Sequence, residues 1–434
     1  MKGAKKRVAF HTLGCKLNFT ETSMIARSLD TDYFEKVTIN EPADIYIINT
    51  CTVTEAADRK CRQSIRKTIR QAPDDAYIVV VGCYAQLKPE EITSIEGVDL
   101  VLGANEKFNL RNYLDRIEES SSNKVHTCNE TDLLAFTSSY SMGDRTRSFL
   151  KVQDGCDYIC SYCTIPLARG GNRNQSIADC VEQAREIAGS GAKEIVITGV
   201  NIGDFGKTTG ESFLDLLESL VKVEGVERFR ISSIEPNLLS DDIIDLTAAE
   251  DKLVQHFHIP LQSGCNRMLA KMKRRYNREL FSERVSKVKA TIPDACIGAD
   301  VIVGFPGETD NDFNDTYRFL EKTDLSYLHS FSYSPRPGTA AFDLPENVGK
   351  ETIAARSSKL QRLSERKKFD FYRKCTDNSY RVIWENRTKD GFIYGFTDNY
   401  VRAKTHAYNV LPGDLSHARL TDLDENGIFN VELL

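Results

Sequence analysis

The chain has 434 residues, of which 41% are hydrophobic and 28% are charged, a balance typical of globular proteins with sizeable cores. Its length favours two or three domains, and the absence of any run of eighteen apolar residues argues against a membrane span. The formal net charge of -6 gives no overall attraction to nucleic acid, so any RNA contact must rest on local basic patches.

The amino-terminal residues 1–7 are basic but lead into a short strand rather than an apolar stretch. We therefore expect no signal peptide and a cytoplasmic protein. In that compartment the twelve cysteines are expected to be metal ligands or reduced thiols rather than disulfides.

Short apolar runs alternate with helical patterns in the first 140 residues. The runs lie at residues 8–10, 45–48, 78–81 and 100–102, and the helical patterns at 21–29, 56–70 and 108–118. Such alternation predicts a doubly wound domain, in which helices cover the faces of a parallel sheet.

A cysteine follows each of the first three predicted strands: Cys15, Cys51 and Cys83. Because the carboxyl ends of parallel strands lie on one edge of a sheet, we expect these cysteines to converge. Three thiolates at one place predict an iron–sulfur cluster with three protein ligands and one open iron. Any one of them alone could equally be a small buried hydrophobe.

From residue 149 to about residue 333 the alternation resumes with longer units. The predicted strands are 149–152, 195–198, 228–232, 256–260, 299–303 and 329–333, with helices between them that include 177–188, 213–221, 278–290 and 314–321. Six such units predict an incomplete β/α barrel, and barrels carry their active sites at the carboxyl ends of the strands.

A loop after the first of these strands carries Cys156, Cys160 and Cys163. Three thiolates on one loop can hold a single iron–sulfur cluster and leave one iron open to a small molecule. A zinc knuckle or three packed thiols is the alternative. Zinc would need a fourth Cys or His nearby, and none follows at short range.

This C-x3-C-x2-C pattern, with Tyr162 just before its third cysteine, resembles the signature of the radical S-adenosylmethionine enzymes. Residues 12–18, 49–53 and 82–86 resemble the three cysteine motifs of one branch of that superfamily, the methylthiotransferases. The resemblance runs almost to the carboxyl terminus.

Within the branch, two stretches look most like the enzymes that act on threonylcarbamoyladenosine in tRNA. They are Cys-Lys-Leu-Asn at 15–18 and Thr-Gly-Val-Asn-Ile-Gly-Asp at 198–204. The isopentenyladenosine type usually has Cys-Gln-Met-Asn and a Gly-Gln-Asn run at these places.

The resemblance implies two 4Fe-4S clusters, with S-adenosylmethionine as the cofactor. In the family, the open iron at the Cys156 loop chelates S-adenosylmethionine, which an electron cleaves to a 5'-deoxyadenosyl radical. The residues implied to contact this cofactor are Tyr162, Gly199, Asn201, Ser233, Glu235, Gln262 and Asp300. Glu235 precedes Pro236 and could equally be a capping carboxylate.

From residue 379 the pattern changes to short alternating strands. They lie at 380–384, 392–396, 401–404, 416–420 and 428–433 and predict a small antiparallel barrel. In position and length it resembles the TRAM-like RNA-binding domain that closes many tRNA-modifying enzymes of this branch. Its Tyr394, Phe396 and Tyr400 could stack on bases or could form the barrel core.

Three basic runs, within residues 59–70, 267–278 and 362–374, break the acidic average. Each alone could be a solvated helix face, and together they suit a phosphate backbone. We expect three domains: residues 1–140 with the auxiliary cluster, 141–374 with the radical S-adenosylmethionine barrel, and 375–434 with the RNA-binding barrel.

The expected reaction adds a methylthio group at C2 of N6-threonylcarbamoyladenosine at position 37 of tRNA, by two uses of S-adenosylmethionine. The expected partners are the anticodon loop and an unidentified electron donor, with no membrane. Three alternatives remain: an enzyme acting on isopentenyladenosine, one acting on an aspartate of a ribosomal protein, and an iron–sulfur RNA-binding protein without turnover.

Overall fold

The computed structural model of the chain describes residues 4–115, 124–129, 132–133, 135–143 and 146–434. Its amino-terminal part is built on a six-stranded sheet: β1 (Lys6–Thr12), β2 (Phe34–Val37), β3 (Ile45–Thr50), β4 (Tyr77–Gly82), β5 (Leu100–Leu102) and β6 (Val125–His126). The strand order is β2-β1-β3-β4-β5-β6, and every pairing is parallel. The central strand β3 is buried along its whole length, as its unbroken apolar run requires.

Helices lie on both faces of this sheet: α1 (Lys16–Ser28), α2 (Glu55–Gln71), α3 (Cys83–Leu87), α4 (Pro89–Thr93) and α5 (Leu110–Leu114). Successive strand residues point to opposite faces, so Ile47 packs in one core cluster with Ile25 of α1, whereas Ile48 packs in another with Ile65 of α2. The predicted doubly wound arrangement is confirmed. Residues 116–118 of the predicted helix 108–118 lie outside the described residues.

The edge strands β2 and β6 were missed by the sequence analysis. β2 has only four residues and exposes Glu35 and Lys36, and β6 has only two residues. A short edge strand with charged side chains carries little of the apolar pattern by which strands are predicted.

The central segment alternates strands with helices. Its strands are β7 (Ser139–Tyr140), β8 (Arg147–Lys151), β9 (Gln153–Asp154), β10 (Arg173–Asn174), β11 (Glu194–Thr198), β12 (Arg228–Ile231), β13 (His256–His258), β14 (Cys296–Val303) and β15 (Tyr327–Ser332). Its helices are α6 (Ile165–Arg169), α7 (Ile177–Gly189), α8 (Phe213–Leu220), α9 (Asp241–Ala249), α10 (Asn266–Lys271), α11 (Arg278–Thr291), α12 (Asp310–Lys322) and α13 (Lys350–Cys375).

Six of these strands form the predicted incomplete barrel. β8, β11 and β12 pair in parallel, as do β13, β14 and β15. The two sets meet where Ser233, just beyond β12, bridges to His258 in a parallel sense. No pairing between β8 and β15 occurs in the described part of the chain, so the barrel stays open on that side.

A closed five-stranded barrel ends the chain: β16 (Ser379–Lys389), β17 (Phe392–Thr397), β18 (Arg402–His406), β19 (Leu415–Leu423) and β20 (Phe429–Leu433). The strand order is β16-β17-β18-β20-β19. The β18–β20 pairing is parallel and the others are antiparallel. The predicted barrel is therefore confirmed, with one parallel pairing that alternation along each strand could not reveal.

The long helix α13 connects the two barrels. Its Leu360 and Leu363 belong to the core of the central barrel, whereas Phe371 and Cys375 belong to the core of the terminal barrel. One helix thus contributes to both cores and fixes how the barrels sit together. None of the described helices, α13 included, combines the length and apolarity needed to cross a membrane.

Buried charges join the amino-terminal sheet domain to the central barrel. The fully buried carboxylate of Glu21 in α1 accepts hydrogen bonds from Lys107 at 2.7 Å and from Arg169 at 2.9 Å. Arg169 also donates to Asp154 at 3.0 Å, and Asp154 pairs with Lys151. Burial alone would raise the pKa of Glu21, but Arg169, Lys107 and Lys151 outweigh it and lower that pKa to about 2.

We expect the Glu21→Gln substitution to lower the free energy of unfolding by about 3 kcal/mol or more, because it leaves buried cations without their counter-charge. Chemical denaturation measured by circular dichroism checks this. The matched control is Glu182→Gln, whose side chain is 67% exposed and pairs only with Arg185 among the described residues. Equal stability of the two variants would contradict a structural role for the Glu21 charge.

Candidate functional site

The structure brings Cys15, Cys51 and Cys83 to one edge of the amino-terminal sheet. Cys15 lies three residues beyond β1 and immediately precedes α1. Cys51 directly follows β3, and Cys83 opens α3 directly after β4. The predicted convergence at the carboxyl ends of parallel strands is therefore what the fold produces.

The first two of these loops touch each other. A Cβ atom on Gly14, which has a φ of +104°, would lie 2.5 Å from the Cβ of Cys51 and 3.1 Å from its Sγ. The Asn18 side chain donates to the carbonyls of Leu13 at 2.8 Å and Thr50 at 3.0 Å. Only glycine fits at position 14, and Asn18 ties the Cys15 loop to the Cys51 loop.

The chemistry of this donor set suits an iron centre. Burial first, and then the neighbouring thiols Cys83 and Cys15, raise the pKa of Cys51 to about 12. Burial also raises the pKa of Cys83. These thiols hold their protons until a cation replaces them, and three sulfur ligands at one place suit the soft, positively charged iron of a cluster.

The loop of Cys156, Cys160 and Cys163 is held at the carboxyl end of the first barrel strand. Gly155 has a φ of +68°, and a Cβ there would collide with the carbonyl oxygen of Gly171. The Cys156 amide donates to the carbonyl of Gly170 at 3.1 Å. Burial raises the pKa of Cys156 to about 11 and that of Cys163 to about 12, so this set likewise fits a bound iron cluster.

Arg274 lies beside the cysteine loop and was missed as a site residue. Its guanidinium donates to the Sγ of Cys160 at 2.9 Å and to the hydroxyl of Tyr162 at 3.4 Å, and it forms an ion pair with Glu235. Glu235 stands at the start of a 3-10 helix, Pro236–Leu238, but its side chain makes no capping hydrogen bond. The capping alternative for Glu235 is therefore wrong.

Gln153 organises the segment after β11. Its Oε1 atom accepts from the amides of Val200 at 2.9 Å and Asn201 at 2.7 Å. A Cβ on Gly199 would lie 2.9 Å from the same oxygen. The buried Oδ1 atom of Asn201 has no hydrogen-bond partner among the described residues, so it is free to accept from a ligand.

A chain of three polar side chains crosses the barrel mouth. The hydroxyl of Ser233 lies 2.6 Å from Nδ1 of His258, and Nε2 of His258 lies 3.1 Å from a carboxylate oxygen of Asp300. His258 was missed because it stands inside a strand rather than after one. Gln262, with a φ of +67°, donates its amide to the carbonyl of Asp300 at 2.7 Å.

A cavity of about 1050 Å³ lies inside the barrel. Cys15, Gly199 and Ser233 line it together with Phe396 and Tyr400 of the terminal barrel. Its lining includes five cationic side chains and, among the described residues, no carboxylate. These cations are Lys16, Arg147, Arg230, Lys368 and Arg402.

Positive charge accumulates at Lys16 in particular. Burial first, and then Arg147 and Arg230, lower the pKa of Lys16 to about 8. Arg230 is held behind the cavity wall by the fully buried Glu194, whose carboxylate lies 2.9 Å from its Nε atom. The carboxylate of Glu194 also accepts a hydrogen bond from Nε of Arg228 at 2.5 Å. It therefore pairs with two arginines of β12.

Tyr400 packs against the core of the terminal barrel, and both Phe396 and Tyr400 line the cavity of the central barrel. Their rings stack on each other at 4.8 Å, and Tyr400 stacks on His256 at 4.5 Å. The guanidinium of Arg230 lies 4.9 Å from the centre of the Tyr400 ring. They therefore lie at the contact between the two barrels. The alternation of residues along a single strand does not predict that position.

Two family models match the chain. Residues 7–103 match the model described as uncharacterized protein family UPF0004, and residues 150–320 match the radical SAM superfamily. The first range contains Cys15, Cys51 and Cys83, and the second contains Cys156, Cys160 and Cys163.

Curated relatives match over most of the chain. A protein of Bacillus subtilis named threonylcarbamoyladenosine tRNA methylthiotransferase MtaB is 40% identical over 91% of this chain and 89% of its own length. The protein of that name from Aquifex aeolicus is 39% identical over 93% and 97%. A tRNA-2-methylthio-N(6)-dimethylallyladenosine synthase of Clostridium tetani is 31% identical over 90% and 87%.

Solved structures share the fold at low identity. The radical S-adenosylmethionine methyltransferase TsrM of Kitasatospora setae, with cobalamin and a [4Fe-4S] cluster bound, aligns with a TM-score of 0.58. It is 13% identical over 90% of this chain and 77% of that chain. The likeness shows a shared arrangement of the sheet domain and the barrel.

We expect the Gly14→Ala substitution to lower the iron content of the reconstituted protein by about half, because the added Cβ displaces Cys51 from its neighbours. The iron assay is accompanied by reductive cleavage of S-adenosylmethionine, which should persist at the unaltered Cys156 loop. The matched control is Gly143→Ala, since Gly143 also has a positive φ, of +74°, but nothing within 4 Å of an added Cβ. Full iron in the Gly14 variant would contradict a cluster at this edge.

Proposed function

The chain belongs to the radical S-adenosylmethionine methylthiotransferase family, and we propose that its substrate is N6-threonylcarbamoyladenosine at position 37 of tRNA, which receives a methylthio group at C2. The protein is a radical S-adenosylmethionine methylthiotransferase of tRNA, and its cofactors are S-adenosylmethionine and iron–sulfur clusters. The choice of base is supported by relatives of the threonylcarbamoyladenosine type, which reach 40% identity.

One geometric observation carries the proposal. Cys15 lines the same cavity as Gly199 and Ser233, two residues that we propose to contact S-adenosylmethionine. In this proposal Cys15, Cys51 and Cys83 hold one 4Fe-4S cluster, and Cys156, Cys160 and Cys163 hold the other. A base placed in the cavity then lies next to the Cys15 loop and next to the bound S-adenosylmethionine.

Bound at these positions, the clusters and S-adenosylmethionine supply the radical and methylthio chemistry that no protein side chain can provide. The chain itself positions the parts. Arg274 fixes the Cys160 side chain, and Gln153 holds the backbone at residues 199–201. Phe19 and Phe149, whose rings lie 6.5 Å apart, give the cavity an apolar wall suited to a base.

The target base must leave the anticodon stack to reach a cavity inside a barrel. Single-stranded loops allow this at a lower cost than a duplex does. The proposal therefore includes the anticodon loop as the bound element, a separate electron donor and a cytoplasmic location. The domain division at 1–140, 141–374 and 375–434, with an RNA-binding role for the terminal barrel, belongs to the same proposal.

We expect methylthio product on threonylcarbamoyladenosine alone when the reconstituted protein is incubated anaerobically with S-adenosylmethionine, reductant and tRNA. Nucleoside mass spectrometry reads the product on tRNAs that carry either hypermodified adenosine. Product on isopentenyladenosine alone would move the protein to the sister group. Accumulation of 5'-deoxyadenosine without either product would remove the substrate assignment.

The exposed side of α2 is the strongest candidate for tRNA backbone contact. Lys60 and Lys67 are exposed there, seven residues apart on one face, and neither has an ion-pair partner among the described residues. The second basic run differs, because Arg267, Lys271 and Arg278 pair with acids of the barrel. α2 directly follows the Cys51 loop, so bound RNA would approach the cavity from this side.

We expect the double substitution Lys60→Gln and Lys67→Gln to weaken tRNA binding several-fold and to reduce the salt dependence of log affinity by about 1.5, since each lost phosphate contact removes about 0.7–0.9. Filter binding across a salt series measures both. The control, Arg185→Gln with Lys222→Gln, removes the same charge from exposed positions elsewhere. An equal effect of the two double variants would place the RNA elsewhere.

A further inference from the structure

We propose that Lys16, with Arg147 and Arg230 beside it, binds the carboxylate of the threonylcarbamoyl group and thereby selects this base over one with an uncharged substituent. The inference rests on the proposed function and adds the residues that read the substrate.

The charge of the cavity is the first argument. The interior of a β/α barrel is ordinarily filled with branched apolar side chains. Here an overall acidic chain lines its interior cavity with five cations and, within the described residues, no carboxylate. Like charges gathered on one cavity wall repel each other and attract an incoming anion.

Lys16 has less compensation than the two arginines beside it. Arg147 has Glu385 at 3.3 Å, and Arg230 has Glu194 at 2.9 Å. The Lys16 ammonium has no ion pair or hydrogen bond to any described residue. It also stands in the first turn of α1, where the positive end of the helix disfavours a cation. These conditions favour an incoming carboxylate.

The position of Lys16 fits one source of that anion. Lys16 adjoins Cys15, so its side chain enters the cavity beside the first cysteine loop. Arg147, Arg230 and Tyr400 line the same cavity, so the N6 substituent of a base bound there can reach Lys16. The phosphates of a flipped nucleotide remain with the strand outside the barrel.

The ammonium group of Lys16, unpaired among the described residues, disfavours binding of isopentenyladenosine. An uncharged isopentenyl group would displace water from Lys16 without replacing its hydrogen bonds. A cation left without a hydrogen-bonding partner discriminates between ligands of similar size. Glutamine at this position would carry no such penalty.

The test uses anticodon stem-loops with three bases: threonylcarbamoyladenosine, its carboxylate methyl ester, and isopentenyladenosine. For the reconstituted wild-type protein we expect the acid to bind on the order of 10- to 100-fold more tightly than the ester. In Lys16→Gln this preference should largely disappear, and in Lys16→Arg it should largely remain. Fluorescence anisotropy measures binding, and mass spectrometry measures turnover.

The outcomes separate the two proposals. If the wild-type protein methylthiolates none of the stem-loops, the proposed function fails. If it acts on the acid but binds acid and ester equally, the carboxylate site is wrong while the function stands. A Lys16→Gln variant that keeps its iron and the wild-type preference for the acid would also overturn the role of Lys16.

Discussion

A buried ion network helps to set the relative position of the two sets of three cysteines. Arg169 lies six residues after Cys163 and donates to Asn18 at 2.9 Å, three residues after Cys15. The same guanidinium pairs with Glu21 of the sheet domain and Asp154 of the barrel. Removing one member of this network would leave a buried charge uncompensated, so the network specifies one arrangement of the two sets of cysteines.

Much of the fold was predictable because its signals are local. The buried strands of both sheets and the short strands of the terminal barrel show their periods in the sequence, and their predicted positions agree with the structure. The strands β2 and β6 gave no such signal at the sheet edges. The parallel β18–β20 pairing and the contribution of α13 to both barrel cores depend on contacts between residues distant in sequence. The alternation of apolar and polar residues along one strand does not predict such contacts.

The site residues also differ in whether the sequence predicts them. The cysteines could be placed from sequence because strand ends in a parallel sheet share an edge. Arg274 could not, since the basic run that contains it has the composition of a surface helix, yet its guanidinium is directed inward to Cys160 and Glu235. The roles of His258 and Lys16 likewise depend on neighbouring side chains from other strands, which the sequence alone does not identify.

The terminal barrel shapes the cavity as well as ending the chain. Arg228 of β12 donates to the carbonyl of Phe396 at 3.0 Å and to Asp398 at 2.9 Å, which fixes the barrel at the amino ends of the strands. Phe396 and Tyr400 then line the cavity beside Arg230 and Arg402. The domain that resembles an RNA-binding module therefore contributes side chains to the cavity in which we propose that the base binds.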